Sequence, residues 1–405
     1  MSQLRQLPAA YVPVIKMNYR GVEVDLTMAR VVTANTIPSK ETFLMTEDVT
    51  RHMEPECLRS LNGYRACCEI LTLVPRPDTF KRVLRLVKIW AKKHGIYSQI
   101  LGFLGGASWA ILVAKACQLV GTEGRQDSLL YTLHRFFVIF AGWAWPDPVY
   151  IKVVGQRQTW DHCMPIITSS QPQMNSAVNV SPANCWLIQT KCQEAALCLQ
   201  QIRSCSAAWR DFFSPTNFFR EFSRYLVIVA TCSSRRDSSL WFGSVESKLR
   251  PLVNHISFSY VVNTVRLWPR PYKKSHGYTV KQLWFLGLDL NGPASVEIIQ
   301  EPVLTFLDRC QDDAARMFLI SPKASSFKAN FEFLTQKQVG KVLPKSIING
   351  FCGYQSSLDH GRLHGFRTIQ PPIENNNNLH HGKTTEFDKS SGALVWPGSL
   401  KTRQI

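Results

Sequence analysis

The sequence predicts an α+β chain of several domains, and three observations support it. The first 35 residues alternate like short strands, residues 54 to 145 carry a helical period, and beyond Leu226 short strands and helices interleave. A chain of 405 residues has room for two or three such units, each with a sizeable core. Hydrophobic content of 45% and charged content of 19% are ordinary for a globular protein, but the charge balance is not. With 47 Lys+Arg against 29 Asp+Glu, the net charge of +18 favours polyanionic partners: nucleic acid, nucleotide phosphates or an acidic surface. The basic residues are spread through the predicted folded part, which suits a binding surface. The twelve cysteines form no CxxC pair, which argues against a zinc site of common spacing. The opening Met-Ser-Gln-Leu-Arg has no apolar signal core, so reduced intracellular thiols are expected. The longest apolar stretch, Ile100 to Ala114, holds three glycines and ends at Lys115. That is short for a membrane span, so a buried helix and no membrane association are expected.

From the N-terminus, Tyr11-Val12-Pro13-Val14-Ile15-Lys16 reads as a strand, and a second runs from Val22 to Leu26 after the turn Asn18-Tyr19-Arg20-Gly21. Alternation puts Glu23 and Asp25 on one face of that strand, with Val22 and Val24 on the other. A helix follows in which Asp78 can act as N-cap, Phe80, Val83, Leu84, Val87, Trp90 and Ala91 form the apolar stripe, and Gly95 closes the end. Another starts after Gly105-Gly106 and runs through Trp109, Leu112, Ala116 and Leu119; a third holds Leu130, Leu133, Phe137 and Phe140. Residues 150 to 185 are irregular, with helices expected again from Leu187 to Ile202 and from Ala207 to Tyr225. Strands are expected at Leu226–Ala230, Phe258–Val262, Leu283–Leu290 and Phe327–Phe333, with helices at Ser239–Val253 and Pro302–Met317. That β-α-β-β-α-β order is the ferredoxin-like arrangement shared by many RNA-binding modules. From Pro344 onward Gly, Ser, His and Asn dominate without periodicity, and a disordered tail is expected.

Two places could carry chemistry. Asp25, a carboxylate at a strand end, can help hold a divalent cation, although such an ion usually takes two or more protein carboxylates. Taken alone it is more often a surface acid. The second place is the helix from Thr79 to His94, where Lys81, Arg85, Lys88 and Lys92 share one side. Stacked like charges repel by a few tenths of a kcal/mol per neighbouring pair, a cost an anion would offset. A solvated basic face is the bland explanation. The residues just beyond the helix favour a ligand: Tyr97 supplies a hydroxyl, and Gly105-Gly106 opens a helix whose first amides favour anions. Together they suggest a nucleotide-triphosphate platform.

The segments Cys57-Leu58-Arg59-Ser60-Leu61-Asn62-Gly63, Ile89-Trp90-Ala91-Lys92-Lys93-His94 and Ile96-Tyr97-Ser98-Gln99-Ile100-Leu101-Gly102-Phe103-Leu104-Gly105-Gly106 resemble nuclear poly(A) polymerases of the animal type. Met164-Pro165-Ile166-Ile167-Thr168 and Val245-Glu246-Ser247-Lys248 do so too, and the similarity runs from about Leu4 to Leu343. The resemblance implies a partial nucleotidyltransferase palm (1–35), a helical middle domain (36–224), an RRM-like, ferredoxin-like domain (225–343) and a tail (344–405). It also implies template-independent addition of AMP from ATP to the 3′ end of RNA with two divalent ions, Mg2+ or Mn2+. Carried over by motif, Asp25 matches a catalytic, metal-binding carboxylate. Lys88 and Tyr97 match phosphate-binding positions, which Lys92 assists. Asn62 matches a polar group near the nucleotide. Gly106 and Ala107 match the pair lining the ATP base, where the family usually has Val at the second place, so Ala107 implies a looser wall. A monomer in the nucleus, meeting RNA 3′ ends and mRNA 3′-processing factors, is the corresponding expectation.

Two departures qualify it. The family's other two catalytic carboxylates lie in an Asp-x-Asp strand upstream of Asp25, and the sequence as given begins after that strand. Gly243-Ser244 is no substitute, because its neighbours place it in the C-terminal domain, and Glu23 alone cannot rebuild both metal sites. An N-terminally truncated polymerase, inactive alone, is therefore expected, with a non-catalytic RNA- and partner-binding short form as the alternative. The second departure is a shorter loop between Trp160-Asp161 and Met164.

Overall fold

Antiparallel strands open the chain in the computed structural model: β1 (Ser2–Leu7), β2 (Val14–Tyr19) and β3 (Val22–Leu26), in the order β1-β2-β3. The structure describes residues 2–8, 10, 12–20, 22–31, 53–123, 128–153, 159–169, 173–292, 295–320 and 326–344, all within one unit spanning Met1–Arg362. The expected tail lies outside them, as does the side chain of Glu23. Between β2 and β3, Tyr19 faces Val22, so the connection is a two-residue turn in which Arg20 takes a left-handed φ of 52°. The strand expected at Tyr11 to Lys16 is β2, which runs from Val14 to Tyr19, and β1 precedes it at Ser2–Leu7 as its antiparallel partner.

The helical part begins with α1 (Pro55–Leu73) and α2 (Pro77–Lys93). The N-cap is Arg76 and not the expected Asp78, which lies in the first turn. Pro77 explains the shift, since its fixed φ and missing N–H suit the first helical position. Gly95 ends the helix at φ +69°, the left-handed place that favours glycine. Next come α3 (Gly106–Thr122), α4 (Leu129–Ala141) and α5 (Pro182–Arg203). The last starts five residues before Leu187, because Ser181 caps it through Asn184 N and Pro182 follows. Trp90, fully buried, is the hub of this core, with ring contacts to Phe137 at 4.6 Å, Trp109 at 6.1 Å and Phe212 at 6.5 Å. Instead of one helix from Ala207 to Tyr225 there are two short ones, α6 (Trp209–Phe212) and α7 (Phe218–Glu221), separated at Pro215.

The C-terminal module contains β4 (Arg224–Cys232), α8 (Arg235–Ser257), β5 (Val262–Leu267), β6 (Tyr272–His276), β7 (Thr279–Leu290), α9 (Ser295–Ile298), α10 (Gln300–Ile320), β8 (Phe327–Thr335) and α11 (Gln336–Val342). Its antiparallel sheet runs β5-β7-β4-β8, the ferredoxin-like order, with β6 also paired to β7. The strand expected at Phe258–Val262 is a turn, and β5 begins at Val262. Phe258 and Tyr260, 87% and 82% exposed, had supplied the misleading apolar alternation. Both faces of the sheet are covered near the start of β4. Leu226, Ile228 and Ala230 meet Trp241, Val245, Leu249 and Phe306 of the helices α8 and α10. On the opposite face Tyr225, Val227 and Phe285 pack with Phe218, Phe219, Phe222, Trp268 and Val339 of α11. The fold is thus α+β and multidomain.

Candidate functional site

The amphipathic α2 buries Phe80, Val83, Val87, Trp90 and Ala91 and turns its cations outward, with Lys88 half-buried at the edge of the stripe. After Gly95 the chain folds back through a short loop closed by a parallel bridge between Tyr97 and Leu104, then enters α3 at Gly105. This return brings three of the expected residues together. A Cβ placed on Gly106 would lie 3.0 Å from the Tyr97 hydroxyl and 3.6 Å from Lys88 Nζ. Lys92 Nζ stands over the Tyr97 ring, 5.0 Å from its centroid. Helix geometry leaves the N–H groups of Gly106, Ala107 and Ser108 without intrahelical partners, and Gly105 provides no side-chain cap. A lysine, a phenol and a helix N-terminus therefore converge on one spot, with donors suited to an anion. Burial lowers the pKa of Lys88 and neighbouring Lys92 lowers it further, while Cys67 partly opposes both. Burial likewise raises the pKa of the Tyr97 phenol, keeping it a donor.

The segment Met164–Thr168 lies under this helix start. Ser108, fully buried, donates to Ser176 O at 3.1 Å, and Ser176 donates to Ile166 O at 2.9 Å. Asn175 Oδ1 accepts from Ile166 N and Ala177 N. The loop from Gly95 to Gly105 meets the C-terminal module: a Cβ on Gly95 would collide with the Trp268 ring at 2.3 Å, and Leu101 is buried in that module's core. His94 is fixed in the same region, with Nδ1 3.0 Å from Thr216 Oγ1 and Nε2 3.4 Å from Phe212 O.

Of the remaining expected residues, Ala107 adjoins this cluster while Asn62 and Asp25 stand apart from it. Ala107 is exposed at the first turn of α3. Asn62, on α1, has a buried Oδ1 with no hydrogen-bond partner among the described residues. Asp25 lies on β3 directly opposite Lys16, whose ammonium is 3.0 Å from Asp25 Oδ2. Among the described residues no group of three or more His, Cys, Asp or Glu is placed to hold a metal ion. A pair of divalent ions calls for more carboxylates than Asp25. The described residues thus offer donors to an anion but do not by themselves fit a metal pair.

Residues that no sequence motif marks are also prominent. Gln99 packs against Gly105, its side chain 3.3 Å from where a Cβ would stand there. The hairpin of β6 and β7 carries Lys273, Lys274 and Lys281, exposed. Gly277, at φ +59°, takes the first central position of the two-residue turn, which a type II′ turn reserves for glycine.

A glycine-led helix start under a lysine and a tyrosine, in a chain that continues into a ferredoxin-like sheet, defines an anion-binding α+β protein. Three family models match successive parts of the chain: the poly(A) polymerase nucleotidyltransferase domain over residues 1–74, the poly(A) polymerase central domain over 79–215, and the poly(A) polymerase predicted RNA binding domain over 217–285. The chain belongs to the poly(A) polymerase family. It is 33% identical over 298 residues to a poly(A) polymerase of Dictyostelium discoideum, covering 70% of this chain and 36% of that protein. It is 35% identical over 269 residues to poly(A) polymerase PAPalpha of Candida albicans, covering 62% and 47% respectively. Nuclear poly(A) polymerase 4 of Arabidopsis thaliana is 34% identical over 265 residues, covering 62% and 35%. The chain spans about a third to a half of the length of these relatives. No helix among the described residues is long and apolar enough to cross a membrane.

Proposed function

We propose that the chain serves template-independent addition of AMP from ATP to the 3′ end of RNA, with Lys88, Tyr97 and the start of α3 receiving the triphosphate. The single observation behind this is the convergence of Lys88 Nζ and the Tyr97 hydroxyl on Gly106. Lys92 holds the Tyr97 ring by a cation–π contact, Asn62 offers its buried oxygen to a nucleotide donor, and Gly106 with Ala107 leaves room for the base. Asp25 is assigned to the catalytic metal site, where Mg2+ or Mn2+ would supply Lewis acidity; taking that role requires release from Lys16. The proposed division is a palm portion at the N-terminus, a helical middle part and an RRM-like module through 343. Residues 217–224, which lie against the sheet, are counted with the module. The proposal includes a monomer that meets RNA 3′ ends and mRNA-processing factors in the nucleus, a location that the name of the Arabidopsis relative supports.

Lys88→Ala removes a charge-assisted donor worth about 1.5–3 kcal/mol, so ATP affinity should fall roughly 10- to 100-fold. Calorimetric titration with ATP checks this, and unchanged affinity would remove the platform assignment. Primer extension with radiolabelled ATP and oligo(A), compared with Asp25→Ala, tests the reaction itself. Extension lost in Asp25→Ala supports catalysis by this chain. No extension in either, with ATP and RNA still bound, favours the non-catalytic reading that the Lys16–Asp25 pair also supports.

A further inference from the structure

The register of the C-terminal sheet aligns three lysines in one row. Lys274 of β6 pairs with Lys281 of β7, Lys281 with Thr231 of β4, and Thr231 with Lys328 of β8. Directly opposed residues point to the same face of a sheet, so all four side chains share one side. Parity along β4 identifies that side. Leu226, Ile228 and Ala230 point to the helices, whereas Tyr225, Val227, Val229 and Thr231 point away from them. The end of that face nearest Tyr225 and Val227 is filled by Phe218, Phe219, Phe222 and α11. The end carrying the lysine row is open, for Lys274, Lys281 and Lys328 are all exposed. The adjoining row, with half-buried Tyr272 and Val229 and exposed Asn330, floors it. His276 extends the same face toward the hairpin tip, where Tyr278 is 85% exposed.

Like charges placed directly across a strand pair are unfavourable without a counter-charge. None of the three lysines is in an ion pair among the described residues. Glu332, the nearest acidic residue on this face of β8, is two rows away, and Glu246 of α8 lies near Lys273 rather than near the row. Strand spacing sets Lys274 about 5 Å and Lys328 about 10 Å from Lys281 along the row. A linear run of cations with an exposed ring at one end suits a chain of phosphates carrying bases able to stack, as single-stranded nucleic acid does.

We propose that Lys274, Lys281 and Lys328 form a phosphodiester-binding row for single-stranded RNA on the uncovered end of this sheet face. This rests on the module being an RNA-binding one. Because aromatic side chains of the same protein occupy the other end of the face, the row holds the RNA backbone by charge and reads little sequence.

The test is fluorescence anisotropy of labelled oligo(A) and oligo(C) with the whole chain, between about 50 and 200 mM salt. The protein, the triple variant Lys274→Gln/Lys281→Gln/Lys328→Gln and the control Lys337→Gln/Lys341→Gln on α11 are compared. Circular dichroism melts verify that the variants fold. Three phosphate contacts on a single strand contribute about 2 to the slope of log K against log salt, so the triple variant should lose that much slope and about tenfold or more in affinity. The control should bind as the parent does, and both oligomers should respond alike. A triple variant with unchanged slope and affinity overturns the row while leaving RNA binding itself intact. So does an equal loss in the control, a strong preference for one oligomer, or displacement of RNA by polyglutamate at equal charge concentration. A parent chain with no RNA affinity overturns the row and the RNA-binding assignment together.

Discussion

His94 shows how much one side chain's surroundings dictate. Burial, with repulsion from Lys191 next, outweighs its hydrogen bond with Phe212 O and lowers its pKa to about 4. The protonated form is thus disfavoured in the folded state, and the unfolded chain takes up the proton first as pH falls. The stability associated with neutral His94 is fully present above about 6.5 and is lost as pH drops toward about 4, by at most roughly 3 kcal/mol. Melting temperatures across that window should rise with pH, and His94→Gln should flatten the rise. Lys88 gives a second pH signature. Its pKa is lowered, so its charge is lost earlier on the alkaline side than that of an ordinary lysine. ATP affinity should therefore decline as pH climbs through that lowered pKa, and Lys88→Arg, always charged, should remove the decline in the same titration. At Gly95 any other residue meets both a left-handed φ and the Trp268 ring. Gly95→Ala should cost about 2 kcal/mol or more, read from denaturant midpoints.

At the scale of elements, legibility followed amphipathicity. The α2 helix could be read because its buried and exposed positions keep a clean 3.6-residue period around Trp90. Trp90→Ala should cost about 3–5 kcal/mol in the same denaturation experiment, since its cavity would open among Trp109, Phe137 and Phe212. The edge strand β6 could not be read. Tyr272-Lys-Lys-Ser-His has little apolar content, and prolines 269 and 271 just before it look like loop. Its existence depends on pairing with β7, a long-range partner that local sequence does not announce. The reverse error at Phe258 and Tyr260 has the same root: apolar residues left in solvent imitate a buried alternation.

For the molecule as a whole, the α+β order and the Lys88–Tyr97–Gly106 cluster were legible, because the cluster lies within nineteen residues of sequence and needs only a helix, a tight loop and a helix start. Features created by antiparallel register were not. The Lys16 partner of Asp25 and the lysine row across β6, β7 and β8 each join residues whose neighbourhood is set by strand pairing alone. The aromatic cover on the sheet has a practical bearing on how the module can be cut out. A fragment begun at Arg224 would leave Tyr225, Val227 and Phe285 facing water where Phe218, Phe219 and Phe222 now lie, and should elute from size exclusion as aggregate. A fragment begun at Thr216 keeps its own cover and should elute as a monomer. The short helix before the sheet is, in that sense, the module's built-in wrapper.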